Sequence, residues 1–432
     1  MADIHKLANM LKELDDQLVN CMRCGMCQAV CPLFARTGKE SDVTRGKLAL
    51  LDGLASEILS DPEGVNEKLN RCLLCGTCAA NCPSGVQILD IFLKARAIMT
   101  GYFGLSPVKK AIFRGMLANP KLFNFLLDFG SKFQGIFTRK VDDMLGSSCA
   151  RFQAPVIGDR HFKALADKPL HKIIPEMNSA AGRSGVKVAF FVGCVVDKIF
   201  PNVGEASLDV LKHHGVGVFM PAGQACCGIP TISSGDTKTF DNLIEQNLAL
   251  FEKGEYDYLV TACASCTSTI KELWPNMYQG DAANRMKLRS IADKTMDISQ
   301  FLVDVIGVEA SEGGGRTVTY HDPCHLKNAL GVTAQPRTII KASSGCEFKE
   351  MAEAGTCCGC GGSFNIAHYE LSKQIGDRKA GNIIDSGVST VATSCPACML
   401  QITDMLSQKK AGVRVKHVME LYAEGLRQPD VS

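Results

Sequence analysis

The chain has 432 residues, enough for three domains at about 150 residues each. Its 47 Lys and Arg residues nearly balance its 45 Asp and Glu residues, which excludes nucleic-acid binding driven by bulk charge. Cysteine is the abnormal component, because 21 cysteines are about 5% of the chain, more than packing requires but below the level of small disulfide-stapled domains. The odd number argues against a framework built only from disulfides.

The first twenty residues contain several charged side chains and lack the apolar core of a secretory signal. No later stretch reaches the roughly 18 apolar residues that a membrane-spanning helix needs. We therefore expect a cytoplasmic protein. In that reducing compartment, dense cysteine indicates metal or redox chemistry.

Two cysteine runs share the spacing C-x2-C-x2-C-x3-C-P, at 21–32 (CMRCGMCQAVCP) and 72–83 (CLLCGTCAANCP). This run holds a pair of [4Fe–4S] clusters, and the fourth cysteine, which we expect to open a helix, binds the other cluster. One cubane cluster would take Cys21, Cys24, Cys27 and Cys82, and the second would take Cys72, Cys75, Cys78 and Cys31. The alternative of two zinc sites is disfavoured because the whole motif, including its proline, occurs twice.

Residues 42–69 and 84–97 place apolar side chains at helical spacing, which predicts two helices. With the two cysteine runs they form a ferredoxin-like domain over residues 1–100. This unit leaves little room for an apolar core. We therefore expect cluster binding to supply much of its folding free energy.

A helical connector and linker is predicted over residues 101–185. Residues 101–140 are rich in Phe and Leu and carry seven basic residues against a single acid, Asp128. This composition is typical of a basic amphipathic helix, which we expect to pack on the ferredoxin-like domain or on a partner; contact with an anionic membrane is the alternative. Residues 145–185 predict an irregular linker.

The C-terminal half contains one cysteine pattern twice. The first copy, residues 186–310, has Cys194, Cys226, Cys227, Cys263 and Cys266, and the second copy, residues 311–432, has Cys324, Cys357, Cys358, Cys395 and Cys398. Both copies carry the tripeptide CCG, and equivalent cysteines lie 130 to 132 residues apart. Such an offset indicates an internal duplication in which each copy is one structural unit.

Each copy alternates strands and helices, which predicts a parallel α/β layer. The segments VKVAFFVG and RTVTYHDP read as strands that lead into the first cysteine, and DYLVTA and VSTVATS lead into the C-x-x-C pair. Ligands of parallel sheets bind beyond the carboxyl ends of the strands. The predicted fold class is therefore α+β and α/β, with a helical 2×[4Fe–4S] domain followed by two α/β domains whose thiols converge.

The segment NRCLLCGTCAANCPSGV at 70–86 and the duplicated cysteine-rich domains resemble the iron–sulfur subunit of glycolate oxidase and its relatives in bacterial lactate dehydrogenases. The likeness covers nearly the whole chain. The order of one cysteine, a CC pair and a C-x-x-C pair is also similar to the catalytic subunit of heterodisulfide reductase. There, each complete repeat binds a non-cubane [4Fe–4S] cluster through five cysteines.

This resemblance implies that each copy holds one non-cubane cluster through its five cysteines. One cluster plus one structural zinc is the main alternative, since thiolate sites suit either metal, and two metal-free thiol sites is a third. Outside these sets we expect Cys149 and Cys346 to be packing or surface thiols and leave Cys360 unassigned.

The motif HDPCH places His321, Asp322 and His325 around Cys324. A proton donor beside a redox cluster is one interpretation, but we favour helix capping by these residues. The glycine-rich pieces at 311–316 and 359–364 match neither G-x-G-x-x-G nor the P-loop. Hydride chemistry therefore requires a flavin or nicotinamide on another subunit, because iron–sulfur clusters move single electrons.

The first functional hypothesis is an oxidoreductase component: the electron-transfer subunit of a flavin-dependent 2-hydroxyacid (lactate or glycolate) dehydrogenase, in a hetero-oligomer. Its partners would be an FAD-containing subunit and a quinone or another carrier, and it would be cytoplasmic or peripheral to the inner face of the cytoplasmic membrane. A catalytic subunit that reduces a disulfide, like heterodisulfide reductase, is the alternative. The iron–sulfur subunit of anaerobic glycerol-3-phosphate dehydrogenase and a non-redox zinc scaffold are the remaining hypotheses.

Overall fold

The structure is a computed structural model that describes residues 4–151, 158–311 and 314–427. The predicted fold class is confirmed: a helical N-terminal part precedes two α/β layers. The N-terminal helices are Ile4–Leu11, Asp15–Leu18, Met26–Val30, Phe34–Thr37, Thr44–Ala55, Pro62–Asn70, Thr77–Ala80 and Ile88–Phe103, with 3-10 turns at Lys12–Leu14 and Glu40–Asp42.

The helix predicted over 42–69 divides into two. Its first part ends at Ala55, and the second part begins at Pro62 because Asp61 caps it, accepting a hydrogen bond from the Gly64 backbone N–H at 2.8 Å. Proline at the first helical position has no N–H to leave unpaired. The local sequence thus interrupts the helix and begins a new one although the apolar spacing continues.

The expectation of little apolar core in the N-terminal part is wrong. Leu7, Leu51, Ile91 and Phe92 are almost completely buried there, in a core that continues into the first copy. Arg96 joins the two parts: it is 3% exposed and donates hydrogen bonds to the carbonyl oxygens of Leu69 at 2.8 Å and, in the first copy, Ser233 at 2.7 Å. The N-terminal part therefore folds against the first copy.

The connector has more regular structure than predicted. It contains the helices Pro107–Lys110, Pro120–Phe137 and Leu170–Ile173, a π-helix at Ala111–Leu117, and the strands β1 (Thr138–Asp142), β2 (Ser147–Ala150), β3 (Phe162–Lys163) and β4 (Met177–Asn178). Strands β1, β2 and β3 form a small antiparallel sheet, and β4 pairs with a strand of the first copy. The expectation of an irregular linker over 145–185 is therefore wrong for these segments, while 152–157 lie outside the described residues.

The first copy is a five-stranded sheet in the order β4-β6-β5-β7-β8, parallel except for β4. Its own strands are β5 (Lys187–Phe191), β6 (Gly217–Met220), β7 (Tyr258–Thr261) and β8 (Thr295–Asp297). Its helices are Cys194–Lys198, Pro201–His213, Ile229–Ile232, Thr237–Phe251, Ala264–Ser268, Trp274–Met277, Ala282–Lys294 and Ile298–Asp304, with a π-helix at Thr269–Leu273.

The second copy is a four-stranded parallel sheet in the order β10-β9-β11-β12. Its strands are β9 (Arg316–His321), β10 (Cys346–Phe348), β11 (Thr390–Thr393) and β12 (Arg414–His417). Its helices are Ala334–Lys341, Ser363–Ala367, Tyr369–Asp385, Pro396–Gln408 and Val418–Arg427, with a π-helix at His325–Ala329.

Buried residues of both sheets, among them Val188 and Val318, belong to one continuous apolar core, so the copies pack on each other. Within the described residues, none of the helices combines the length and apolar character needed to cross a membrane.

Candidate metal centres

The eight N-terminal cysteines line two cavities. Cys21, Cys24, Cys27 and Cys82 border the first, and Cys31, Cys72, Cys75 and Cys78 border the second, with Cys78 also reaching the first. These are the two sets that the run spacing predicts. Their role as ligands stays a prediction, but the fold brings the fourth cysteine of each run to the cavity of the other run.

The two loops have the same backbone geometry. Arg23 (φ 56°) and Gly25 (φ 84°) are left-handed in the first loop, and Leu74 (φ 54°) and Gly76 (φ 73°) are left-handed at the same places in the second. A non-glycine residue in this region costs about 1–2 kcal/mol, so its repetition indicates a constraint. Turns of this type present successive N–H groups to an anion, as an iron–sulfur cluster requires.

The expectation that the fourth cysteine opens a helix is wrong. The short helices Met26–Val30 and Thr77–Ala80 begin directly after Gly25 and Gly76 and contain the third cysteine of each run. The fourth cysteine follows the end of its helix in both loops. The left-handed glycine starts the helix early, which brings the fourth thiol back toward the cavities.

Lys47 was missed by sequence reasoning. It lines the second cavity, is nearly completely buried, and donates a hydrogen bond to the Asp42 carbonyl oxygen. Burial lowers the pKa of Lys47, and the nearby Cys72 and Cys31 favour its charged form. A buried cation of this kind stabilises thiolates, but its position in the helix Thr44–Ala55 gave no signal in the sequence.

The thiols of each copy lie beyond the carboxyl ends of the strands, as predicted. Cys194 follows β5 and Cys263 follows β7, while Cys324 follows β9 and Cys395 follows β11. Within the copies, the Sγ atoms of Cys194 and Cys226 are 3.7 Å apart. Those of Cys358 and Cys398 are 3.4 Å apart.

The second cysteine of each CC pair is prepared to be a thiolate. The pKa of Cys227 is well below its usual range because the thiols of Cys226 and Cys266 donate to its sulfur. The pKa of Cys358 is also well below its usual range, because its sulfur is in hydrogen-bonding contact with Cys357 and Cys398. A thiolate is the form that binds metal, so both copies hold a sulfur suited to a metal ion.

A steric constraint explains why glycine follows each CC pair. Gly228 has φ 94° and Gly359 has φ 92°. A Cβ atom would lie 2.5 Å from a ring carbon of Phe240 at the first position and 2.6 Å from the Ser372 carbonyl oxygen at the second. Only glycine therefore fits after each CC pair.

Neighbouring thiol sites are in contact. Cys75 and Cys357 pack in one small apolar cluster, and the thiol of Cys357 raises the pKa of Cys75. Between the copies, the Cys263 thiol lowers the pKa of Cys395, whose Sγ is 3.6 Å from the Ser265 hydroxyl. The second cavity, the second copy and the first copy thus form a continuous series of thiol sites.

The residues of HDPCH do not cap a helix, which makes that expectation wrong. The π-helix His325–Ala329 has no side-chain cap. Asp322 instead accepts hydrogen bonds from Arg337 at 2.8 and 2.9 Å, and the His325 Nδ1 lies 3.0 Å from the Ser265 hydroxyl of the first copy. His321 is fully buried, and burial lowers its pKa to about 3.

The three cysteines outside the predicted ligand sets differ in environment. Cys149 and Cys346 are buried, as expected of packing thiols, and Cys149 accepts a hydrogen bond from Arg139 at 3.2 Å. Cys360 is half-buried, and burial followed by the neighbouring Cys358 raises its pKa. None of the 21 cysteines, all within the described residues, forms a disulfide.

This donor set fits iron–sulfur clusters. All-thiol cavities with strained loops and a buried lysine suit a soft metal centre of net negative charge. Oxygen-preferring ions such as Mg²⁺ do not suit it, because thiols outnumber carboxylates around the cavities and Asp42, which lines the second cavity, is paired with Arg71 at 3.1 Å.

Comparison with known protein families agrees with this chemistry. The 4Fe-4S dicluster domain family matches residues 17–86, and the cysteine-rich domain family matches residues 188–271 and 318–403. The chain is therefore an iron–sulfur protein with one dicluster domain and two cysteine-rich domains.

Three relatives illustrate the range of similar proteins. The probable glycolate oxidase iron–sulfur subunit of Bacillus subtilis (strain 168) is 29% identical over 440 residues, covering 98% of this chain and 97% of that protein. A component of the fumarate reductase (CoM/CoB) of Methanothermobacter marburgensis is 31% identical over 414 residues, covering 94% and 72%. Lactate utilization protein A of Exiguobacterium sp. is 31% identical over 244 residues, covering 56% and 98%.

Among solved structures, a hypothetical protein from Helicobacter pylori superposes with a TM-score of 0.51 at 9% identity, covering 100% of this chain and 78% of that chain, which is a likeness of fold alone. The curated relatives are iron–sulfur components of oxidoreductases, and the Bacillus protein matches over nearly its whole length. The chain belongs to the glycolate oxidase and lactate utilization family of iron–sulfur subunits, with duplicated cysteine-rich domains.

Proposed function

We propose that the chain is the electron-transfer subunit of a flavin-dependent 2-hydroxyacid dehydrogenase, acting on lactate or glycolate. The observation that carries the proposal is the unbroken series of thiol sites, from the first cavity through the second cavity to the two copies. Iron–sulfur clusters at such sites supply single-electron transfer. The cubane ligands are the two cysteine sets that border the cavities, and the five cysteines of each copy serve the cysteine-rich centres.

The domain limits proposed for this role are 1–100 for the ferredoxin-like domain, 101–185 for the connector, and 186–310 and 311–432 for the copies. The strand β4, at Met177–Asn178, extends the sheet of the first copy into the connector. The end of the connector is thus part of the sheet of the first copy.

The hydroxy acid is oxidised on a partner in this proposal. Removal of a hydride needs a flavin or a nicotinamide, and the chain carries no dinucleotide motif. An FAD-containing subunit would therefore bind the donor. The names of the Bacillus and Exiguobacterium relatives, glycolate oxidase and lactate utilization, favour a small 2-hydroxy acid.

The acceptor side would lie at the first copy. Cys194 and Cys226 border an open cavity that is lined on another side by the start of the helix Pro120–Phe137. Leu117, Phe123 and Met220 give it apolar surfaces, and His171 and Lys198 add polar groups. The Lys198 ammonium is 3.0 Å from the His171 Nδ1. Apolar surfaces with a few hydrogen-bonding groups suit a quinone ring.

The same helix exposes an apolar face on its opposite side. Successive residues of a helix are rotated by about 100°, and the exposed apolar side chains fall within an arc of about 120°. They are Leu122, Phe125, Leu126, Phe129, Phe133, Ile136 and Phe137. Phe129 is 57% exposed and Ile136 is 61% exposed. The prediction that this segment packs within the protein therefore holds for its inner side and leaves the outer side uncovered within the described residues. A contiguous apolar patch of this kind marks an interaction site.

The charge of this face suits an anionic bilayer. Lys121 and Lys132 lie along one edge of the apolar arc. The one acid of residues 101–140, Asp128, is neutralised by Lys172 at 2.6 Å. An amphipathic helix with basic residues beside Phe and Leu binds in the membrane interface. Peripheral contact with the cytoplasmic membrane would bring a lipid-soluble quinone near the cavity.

The test is to purify the chain with the flavoprotein encoded beside it and to measure oxidation of lactate, glycolate and glycerol 3-phosphate. Hydroxyacid-dependent reduction of a soluble dye and of a short-chain quinone is the expected result, together with about 16 iron and 16 sulfide per chain for four clusters. Oxidation of glycerol 3-phosphate alone would instead assign the glycerol-3-phosphate dehydrogenase role. About eight iron with two zinc would overturn both non-cubane centres.

A disulfide reductase is the second candidate, because both copies retain all five cysteines and the Methanothermobacter relative belongs to a CoM/CoB fumarate reductase. In this role a thiol-ligated centre would cleave a disulfide substrate. Rapid reduction of a disulfide by the isolated chain with an artificial donor would favour it over the dehydrogenase role.

A further inference from the structure

His321 is a buried polar side chain without a partner. It ends strand β9, has no exposed surface, and neither ring nitrogen makes a hydrogen bond among the described residues. Leaving a buried ring nitrogen unpaired is unfavourable, and such groups are rare in folded proteins. A buried imidazole of this kind indicates a ligand that it binds.

The nearest chemistry is sulfur. One ring nitrogen of His321 and the Sγ atoms of Cys358 and Cys398 all lie within 4.8 Å of one another. In the described part of the chain this is the single group of three or more potential ligands that approach so closely. Imidazole and thiolate together are donors for zinc and for iron of a cluster.

The first copy has no such nitrogen at the equivalent place. Phe191 ends strand β5, as His321 ends β9, and it packs against Trp274 with ring centroids 6.2 Å apart. The thiol pair equivalent to Cys358 and Cys398 is Cys227 and Cys266, so sulfur is common to both sites. The duplication therefore retained the thiols and left the two copies with different side chains beside them, one apolar and one able to bind metal.

We propose that His321 is a nitrogen ligand of the metal centre in the second copy, which makes that centre a mixed nitrogen and sulfur site and the first copy's centre an all-sulfur site. The proposal rests on the proposed function only in requiring that the second copy holds a metal. The metal is iron of a cluster or a zinc ion, and the two arms of the test distinguish them.

The test uses the full-length protein, purified as isolated and labelled with 15N-histidine. If the centre contains iron, electron–nuclear double resonance of the reduced protein shows one 15N coupling on a non-cubane signal. If it contains zinc, X-ray absorption at the zinc edge shows one nitrogen at about 2.0 Å beside sulfur at about 2.3 Å. All-sulfur coordination in both measurements overturns the proposal, and it does so without any substitution that could unfold the protein.

Reciprocal variants sharpen the result. His321→Phe copies the side chain of the first copy and should abolish the nitrogen signal and lower the occupancy of that centre at least tenfold after dialysis against a chelator. Phe191→His is the matched variant in the other copy, and it should leave the original nitrogen signal in place. Full retention of the coupling and of the metal in His321→Phe contradicts the proposal. Failure of hydroxyacid oxidation would instead contradict the proposed function and leave these spectra unchanged.

Discussion

The two cysteine-rich copies have the same arrangement of thiols in different surroundings. At three equivalent buried positions, the first copy has an apolar, a neutral polar and an acidic side chain, whereas the second copy has a lysine and two histidines. Strand ends, sheet register and chain offset identify three equivalent pairs: Phe191 and His321, Asn247 and Lys379, and Asp297 and His417. All six side chains are almost completely buried.

Lys379 shows what the difference does. Its ammonium donates a hydrogen bond to the Ala354 carbonyl oxygen at 3.1 Å, and burial lowers its pKa to about 8. Asn247 makes the corresponding contacts in the first copy, to the carbonyl oxygens of Ala225 and Cys226. Both side chains hold the segment before the CCG glycine, but only Lys379 adds positive charge beside thiolates.

The positions of the copies match this difference. The second copy touches the second cavity through Cys357, whereas Cys194 of the first copy borders an open cavity. The second copy is therefore the inner thiol site of the series, and the first copy is the outer one.

The largest expected effect comes from removing one thiol at the contact between the copies. Cys263→Ser should lower the iron content by about four per chain and remove one non-cubane signal, while the cubane signals remain. Cys395→Ser is the matched variant and should remove the other signal. Electron paramagnetic resonance and iron analysis check both. If either substitution removes both non-cubane signals, the copies share one centre and the comparison between them fails.

A smaller effect is expected where the N-terminal part meets the first copy. Arg96→Met keeps most of the side-chain volume but leaves the carbonyl oxygens of Leu69, Cys72 and Ser233 without their donor. We expect a loss of about 3 kcal/mol of stability, since each buried acceptor left unpaired costs about 1 kcal/mol or more.

Thermal unfolding of the cluster-loaded protein measures this change. Lys94→Met in the same helix is the control, because the Lys94–Asp90 pair at 2.8 Å is on the surface and should contribute less than about 0.5 kcal/mol. Equal destabilisation by the two substitutions would contradict the role assigned to Arg96.

The sequence predicted the parts of this arrangement that repeat. The cysteine spacing predicted which cysteines of the N-terminal part come together. The duplicated order of strand and cysteine predicted parallel sheets with thiols at the carboxyl ends of the strands. These predictions succeed because spacing acts locally: a strand end or a tight loop positions its own cysteine whatever surrounds it.

The side chains that distinguish the copies were not predictable in the same way. Lys379 lies on an ordinary helix, as Lys47 does in the N-terminal part, and the burial of both depends on elements far away in the chain. His321 was visible in HDPCH, but a helix cap was the simpler interpretation. The contact between Cys263 and Cys395 depends on how the two sheets pack, which spacing within one copy does not contain.

The apolar face beside the first copy gives the third prediction. Phe129→Ser combined with Phe133→Ser should weaken binding to vesicles containing anionic lipid about tenfold, because burial of each phenylalanine in the interface is worth roughly 1 kcal/mol or more. Co-sedimentation measures the effect. Val19→Ser combined with Ile58→Ser removes exposed apolar side chains elsewhere and should change nothing.

Salt and lipid charge separate a membrane from a protein partner. Binding to anionic vesicles should weaken as ionic strength rises, because Lys121 and Lys132 contribute by electrostatics. The parent protein would then fail to bind vesicles, and the same two serine substitutions would release the flavoprotein from the complex, if the face binds the partner subunit instead.

The smallest effect concerns one of the contacts between the copies. His214 of the first copy stacks on Tyr422 of the second, with ring centroids 5.8 Å apart and the Nε2 atom 3.0 Å from the hydroxyl. Burial, followed by the charges of His213 and Arg183, lowers the pKa of His214 to about 4. The neutral ring is therefore the form that the folded protein favours.

Because the folded pKa lies below the unfolded value of 6.5, the stability due to neutral His214 is fully present above pH 6.5 and is lost as the pH falls toward 4. Partial solvent exposure reduces the effect to about 1 kcal/mol. His214→Gln should flatten the decrease of the unfolding midpoint between pH 6.5 and 4 relative to the parent protein. His213→Gln is the control, because this neighbouring side chain is exposed, and it should leave most of that slope. Equal slopes for the parent protein and His214→Gln would show that this contact does not make the stability depend on pH.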